Sequence, residues 1–299
     1  MNATQTMILI DASRKNNTLL MEAFMYKSHP QTLKVCEILR HSFKPPLTID
    51  AEFCFQVDVP ESHRLVNSKL GGGSILDIGC YPMSISRLAV GMVNGKDFLN
   101  PSEIECESEL NSQGVDLNAE ANLTFEDGST ANIKSATNLA SESAVTIKDA
   151  SNTLIINQPW HCGEYTERTS ALELELGSDE PEIIEISTEK GIYAIEIEHF
   201  ESLIESGYIE SKIVPHNDSH GNMIALDRWR KGSGVYYESD KGENSKGSLF
   251  SFDIKENRTE IKKSNLTGIE KELSRLVFGC DNQSDSNHAF AMFDHFYLS

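Results

Sequence analysis

No two of the six cysteines, Cys36, Cys54, Cys80, Cys106, Cys162 and Cys280, stand in a C-x-x-C pair. Their wide separation excludes a zinc ribbon or a disulfide framework, and they read as reduced, structural thiols. No apolar run approaches the roughly 18 residues of a membrane span, and no basic-then-apolar signal region opens the chain. The expectation is a cytoplasmic protein with no membrane partner. Positive charge is scarce as well: 26 Lys and Arg face 46 Asp and Glu, a net charge of −20. A nucleic acid or an anionic membrane would be repelled at long range, so neither is expected as a partner. His199 and His220 have no partner at ligand spacing, so no metal site is expected. What is present suffices for a sizeable core, since 39% of the 299 residues are hydrophobic, enough for one to two domains.

The pattern is α/β at first and then rich in strands. Thr4 to Asn16 has helical spacing, Leu19 to Met25 is a short apolar strand, and Gln31 to His41 is again helical. Thr48 to Val57 alternates as a strand, and Ser74 to Val90 is helical. Ile104 to Glu107, Leu117 to Phe125, Thr130 to Thr137, Ala144 to Lys148, Thr153 to Ile156 and Ile183 to Ile186 form a series of strands, with Asp127-Gly128 as a hairpin turn. Tyr193 to Ser206 and His220 to Lys231 read as helices that pack back on the first part. The fold class expected is α/β and α+β, an open and mainly antiparallel sheet with helices on one face. The free face of such a sheet commonly serves association, here of copies into a homo-oligomer.

The run Gly71-Gly72-Gly73-Ser74-Ile75-Leu76-Asp77-Ile78-Gly79-Cys80-Tyr81-Pro82 carries the most chemistry. A glycine hinge feeds a segment with Asp77 and Tyr81 four residues apart, on one face if helical. A carboxylate beside a phenol is a proton-handling pair, because a tyrosine titrates near 10 without help. The other reading is a helix N-terminus where Asp77 complements the dipole and Tyr81 packs, and spacing alone favours it.

Wider context adds to this. Met21-Glu22-Ala23-Phe24-Met25-Tyr26-Lys27-Ser28-His29-Pro30-Gln31, the Gly71 to Pro82 run, Gly114-Val115-Asp116, Phe125-Glu126-Asp127-Gly128 and Gln158-Pro159-Trp160 follow one another in a familiar order and spacing. The chain resembles the Gfo/Idh/MocA oxidoreductases over residues 1–231, with Tyr81 placing it near glucose-fructose oxidoreductase and dimeric dihydrodiol dehydrogenase. The resemblance implies hydride transfer between NADP or NAD and a sugar, polyol or small cyclic alcohol, with Tyr81 passing the proton and Asp77 holding or polarising it. It also implies that Glu22 and Lys27 lie near the cofactor, and Arg64 and Trp160 near the substrate. Against these stand plainer readings: Glu22 capping a helix, Lys27 exposed at a strand end, Arg64 ion-paired across a loop, Trp160 simply buried, and His29 capping the helix after Pro30.

Two signatures of that family are missing from the sequence. There is no G-x-G-x-x-G turn to grip a pyrophosphate, and no Glu-Lys-Pro to supply a lysine beside the tyrosine. Met1-Asn2-Ala3-Thr4 instead reads as the start of the helix that follows Glu-Lys-Pro, capped by Asn2 or Thr4. The expected layout is the end of a Rossmann-like domain (1–45), a substrate and oligomerisation domain (46–231), a linker (232–265) and a truncated start of an aldo-keto reductase barrel (266–299). The last rests on Ser274 to Gln283 as first strand and Ala289 to Tyr297 as first helix. A closed barrel needs roughly 250 residues. Because the half that the resemblance assigns to cofactor binding is missing, the chain is expected to be inactive alone. The alternatives are a non-enzymatic dimerisation module and a scaffold for a fused aldo-keto reductase.

Overall fold

The computed structural model describes residues 2–165, 167–240 and the strand Phe290–Met292. Helix α1 (Ala3–Asn16) starts where Asn2 accepts a hydrogen bond from the Gln5 N–H at 3.0 Å, which satisfies one of the donors a helix start leaves open. Strand β1 (Leu20–Glu22), a single helical turn α2 (Met25–Ser28) and α3 (Pro30–Ser42) follow. Pro30 opens α3 with its φ already helical, and the His29 ring accepts from the Gln31 N–H at 3.1 Å.

The remaining elements are β2 (Thr48–Cys54), α4 (Cys80–Val93), β3 (Glu103–Leu110), β4 (Asp116–Thr124), β5 (Thr130–Ala136), β6 (Val145–Lys148), β7 (Asn152–Ile156), β8 (Thr169–Leu176), β9 (Glu182–Ser187), α5 (Ile192–Glu205), α6 (His216–Gly232) and β10 (Phe290–Met292). Eight strands form one open sheet in the order β3-β4-β5-β2-β6-β7-β8-β9. Only β2 and β5 run parallel within it.

Alternation gives this sheet two unlike faces. In register across it, Leu123, Ala131, Ile49, Ile147 and Leu154 are buried beneath α3, α4 and α6. The neighbouring row, Glu105, Asn122, Asn132, Asp50, Thr146, Ile155, Glu173 and Ile183, points away from the helices. The strand β4 turns into β5 at Asp127-Gly128, where Gly128 takes φ 85° and the Phe125 N–H donates to the Ser129 carbonyl.

Four expectations change. The first strand stops at Glu22 rather than Met25, because the Lys27 N–H closes a turn on the Phe24 carbonyl. Strand β8 was not read from the sequence, although Ala171 to Leu176 alternates, and its pairing with β7 and β9 completes the sheet. The start of the expected linker packs on the domain: Val235 and Tyr237 are buried, and Asp240 pairs with Arg230 at 2.5 Å. Phe290–Met292, expected within a helix, is a strand parallel to β1. The expected strand Ser274 to Gln283 lies outside the described residues.

Candidate active site

The approach to α4 is fixed by close backbone contacts. A Cβ on Gly72 would stand 2.4 Å from the Arg64 carbonyl oxygen, so only glycine lets the chain cross itself there. Gly73 takes φ 130°, and its N–H donates to the Leu65 carbonyl at 2.9 Å. The buried Asp116 then accepts from the Ile75 N–H at 2.6 Å and the Ser74 hydroxyl at 2.9 Å. Burial pushes its carboxyl up to about 6 despite those bonds. From Ile75 to Gly79 the chain forms a π-helical turn before α4, a feature often found at functional sites.

Asp77 lies on this turn and is held by Arg64, Oδ1 to Nη1 at 2.5 Å, with both side chains partly exposed. Tyr81, one turn on, is 2% exposed. Its ring meets Phe24 at 5.2 Å, Phe53 at 5.4 Å, Trp160 at 5.6 Å and Tyr26 at 5.8 Å, mostly edge to face. Its hydroxyl donates to Met25 Sδ at 3.2 Å. Trp160 stacks on Phe53 and donates its indole N–H to the Glu52 carbonyl at 3.0 Å. Aromatic pairs of this kind add about 0.5 to 1.5 kcal/mol each beyond area burial.

The structure thus brings Tyr81 and Trp160 together but encloses both, where the resemblance implies that Tyr81 meets the substrate and Trp160 lies near it. Apolar rings leave water by closing on one another. The carboxylate of Asp77 is turned to Arg64, so Arg64 is an ion-pair partner here. Lys27 is within reach of the cluster, its Nζ 5.6 Å from the Phe24 ring centre, yet it is buried and ion-paired to Asp218 rather than exposed. Asp218 also takes Arg87 Nη1 at 2.7 Å, and Arg87 continues to Asn100 and Asn222. Burial raises the Glu22 carboxyl to about 7, against the pull of Ser219 and of Lys27.

Arg87, Asp218, Phe24 and Phe53 were missed in the sequence. One signal existed, an arginine within the apolar helix Met83 to Val90, where a fully buried charge demands a partner. His199 bonds Ser211 at 2.8 Å. Among the described residues no three His, Cys, Asp or Glu side chains gather as for a metal ion, and no helix is long and apolar enough to cross a membrane.

Residues 45–154 match the GFO/IDH/MocA C-terminal domain, the region that holds α4 and the sheet from β2 to β6 with the start of β7. That stretch is a Gfo/Idh/MocA-type domain. Among curated relatives of the chain, the D-xylose 1-dehydrogenase (NADP(+)) 2 of Haloferax volcanii is 25% identical over 226 residues, which is 76% of this chain and 66% of the relative. The trans-1,2-dihydrobenzene-1,2-diol dehydrogenase of Xenopus tropicalis is 34% identical over 119 residues, 39% of this chain and 33% of the relative. The chain therefore spans less than two thirds of either. Two solved structures share the fold. A 3-ketoreductase from Actinomadura kijaniata, in complex with NADP and TDP-benzene, has a TM-score of 0.66 at 22% identity, over 79% of this chain and 69% of that one. The aldose-aldose oxidoreductase of Caulobacter crescentus has a TM-score of 0.65 at 18% identity, over 78% and 67%.

Proposed function

We propose that the chain is the substrate-side part of an oxidoreductase that uses NADP or NAD and acts on a sugar, polyol or small cyclic alcohol by hydride transfer. The observation that carries this reading is Tyr81 on the first turn of α4, inside the matched family domain with Phe53 and ringed also by Phe24 and Trp160 from outside it. The names of the relatives, a xylose and a diol dehydrogenase, support a hydroxylated substrate. In this reading Tyr81 exchanges a proton at its phenol oxygen with the substrate oxygen, and the half-buried Phe53, backed by the stacked Trp160, offers an apolar face to the C–H side of a ring. Asp77, ion-paired to Arg64, stands at the same helix start.

The described residues do not fit a dinucleotide. A pyrophosphate needs free backbone N–H groups at a helix N-terminus. Here the Gly73 N–H serves Leu65, the Ile75 N–H serves Asp116, and the Gly72 carbonyl takes the Tyr237 hydroxyl. Glu22 and Lys27, read from the resemblance as cofactor contacts, are turned into a buried charge cluster. We therefore assign the cofactor to no described residue, and the 299-residue chain is expected to be inactive alone.

Fluorescence titration with NADPH and NADH tests this. The expected result is no micromolar binding by this chain, and both binding and turnover once it is extended upstream through a Gly-rich turn and a Glu-Lys-Pro. In that extended protein Tyr81→Phe lowers turnover by about 100-fold or more without loss of NADPH binding. Micromolar binding by the 299-residue chain, or full turnover with Phe at 81, overturns the reading. The enclosure of Tyr81 favours a second reading, a non-enzymatic association module; for it the extended protein binds no cofactor.

A further inference from the structure

Four charged side chains from four elements meet behind the candidate site. Lys27 of α2 is ion-paired to Asp218 of α6, and Arg87 of α4 reaches the other Asp218 oxygen at 2.7 Å. Lys27 is 2% exposed and Arg87 0%. The rest of the guanidinium is taken by Asn100 Oδ1 at 2.8 and 2.9 Å and by Asn222 Oδ1 at 3.3 Å. Two buried cations thus share one carboxylate. The fourth charge is Glu22 at the end of β1, which acts on Lys27, Asp218 and Arg87 through space.

Glu22 is not fully partnered. The Ser219 hydroxyl faces its carboxyl, but Oε2 is buried with no hydrogen bond. Beside it lies a cavity of about 10 Å³ between α1, β1 and α6, lined by Thr6, Leu9, Ile10, Leu20, Glu22, His216 and Ser219. That is close to the room one water needs, and the lining offers it the Glu22 carboxyl, the Ser219 hydroxyl and the oxygen of the Thr6 hydroxyl, whose proton goes to the Asn2 carbonyl at 3.1 Å. The His216 ring leads outward from the same cavity. Its Nε2 lies 3.1 Å from the Leu20 carbonyl oxygen, and its Nδ1 lies 3.6 Å from the carboxylate of Glu210, whose side chain is 43% exposed.

We propose that Glu22 and one internal water in this cavity form a proton-binding site that sets the net charge of the Lys27–Asp218–Arg87 cluster, and so the lock between α6 and α4, the helix that carries Tyr81. With Glu22 ionised, the four charges sum to zero. With Glu22 protonated, one positive charge is in excess and Asp218 is the sole anion for two cations, so the repulsion between Lys27 and Arg87 is less fully offset. Burial places this exchange close to neutral pH, raising the carboxyl to about 7 where Lys27 and Arg87 alone would lower it. The groups that face Glu22 are Lys27 from α2, Arg87 from α4, and Asp218, Ser219 and His216 from α6; α1 contributes the uncharged Thr6, Leu9 and Ile10.

The test is a carbon-detected NMR titration of the glutamate carboxyls in the 299-residue chain, with Glu22→Gln to assign the resonance, and with the Lys27 ammonium signal followed in parallel. Expected are a Glu22 midpoint near 7, a Lys27 shift with that same midpoint, and cross-peaks from the Met21 to Ala23 amides to a slowly exchanging water. Replacing Thr6 by Val, nearly isosteric, is expected to remove the water cross-peaks. A Glu22 midpoint in the ordinary carboxylate range, a Lys27 signal indifferent to it, or no long-lived water in the unmodified chain overturns the proposal. The unmodified chain alone decides the water and the coupling if Glu22→Gln does not fold.

Discussion

Glu196 sits on the buried face of α5, 9% exposed, with Oε1 lacking any hydrogen bond. Desolvation raises its carboxyl to about 7. A folded-state pKa above the unfolded value of 4.5 means that the folded protein holds the proton more tightly. Stability from this group is present at low pH and is lost as pH climbs from 4.5 through about 7, a cost of about 3 kcal/mol at its upper bound. Glu196→Gln is therefore expected to raise stability by about 2 kcal/mol near pH 8 and by less than about 1 kcal/mol near pH 5, as read from urea unfolding at both values. Asp218 has the opposite sign. Although burial pushes its carboxyl up, Lys27 and Arg87 more than offset this and hold it below 3.8, so its contribution is kept above 3.8 and lost in acid. Asp218→Asn leaves two buried cations without their anion and is expected to cost about 3 to 5 kcal/mol in the same measurement.

At the scale of elements, the segment from Gly71 to Gly79 shows what a hinge of glycines is for. Gly71 has φ 71° and open space around a would-be Cβ, whereas Gly73 has φ 130° and a would-be Cβ 2.3 Å from Asp116 Oδ1. Gly71→Ala is expected to lose about 1 kcal/mol, from backbone strain alone. At Gly73→Ala the strain is joined by a clash with the carboxylate that anchors Ser74 and Ile75, and the expected loss exceeds about 2 kcal/mol. Thermal unfolding of the two variants checks the ranking, and equal losses would show that Asp116 does not hold the π-helical turn.

Across the whole molecule, the helix-free sheet face bears on association. It carries Glu103, Glu105 and Glu107 on β3, Asp50 on β2 and Glu173 on β8, and Glu107 stands directly opposite Glu120 in register. Only in part is this relieved, by Lys134 against Glu120 at 2.5 Å. With a net charge of −20, two such faces repel unless salt screens them. If copies associate through this sheet, the dimer fraction in sedimentation is expected to rise with ionic strength. A dimer that ignores salt would place the contact elsewhere. The sheet itself was largely legible in the sequence, because alternation and the Asp127-Gly128 turn act within a few residues, yet β8 went unread.

The sequence by itself determined where most helices and strands run, that Asn2 or Thr4 caps the first helix and His29 the one after Pro30, and that Tyr81 stands on a helix entered through glycines. Such features follow from steric and amphipathic rules that act over one turn or one strand pair. Only the tertiary structure decided what those residues touch. Arg87 and Asp218 are 131 positions apart, and Lys27 and Asp218 are 191 apart. No local pattern records such a meeting, so Lys27 read as an exposed or cofactor-facing lysine until its partner was seen. The same holds for Tyr81: spacing put it on one face with Asp77, but the packing of Phe24, Phe53 and Trp160 enclosed it, and Arg64 claimed the carboxylate. A buried charge or ring takes its role from whichever groups the fold brings within a few ångströms, because desolvation makes those few contacts decide its energy.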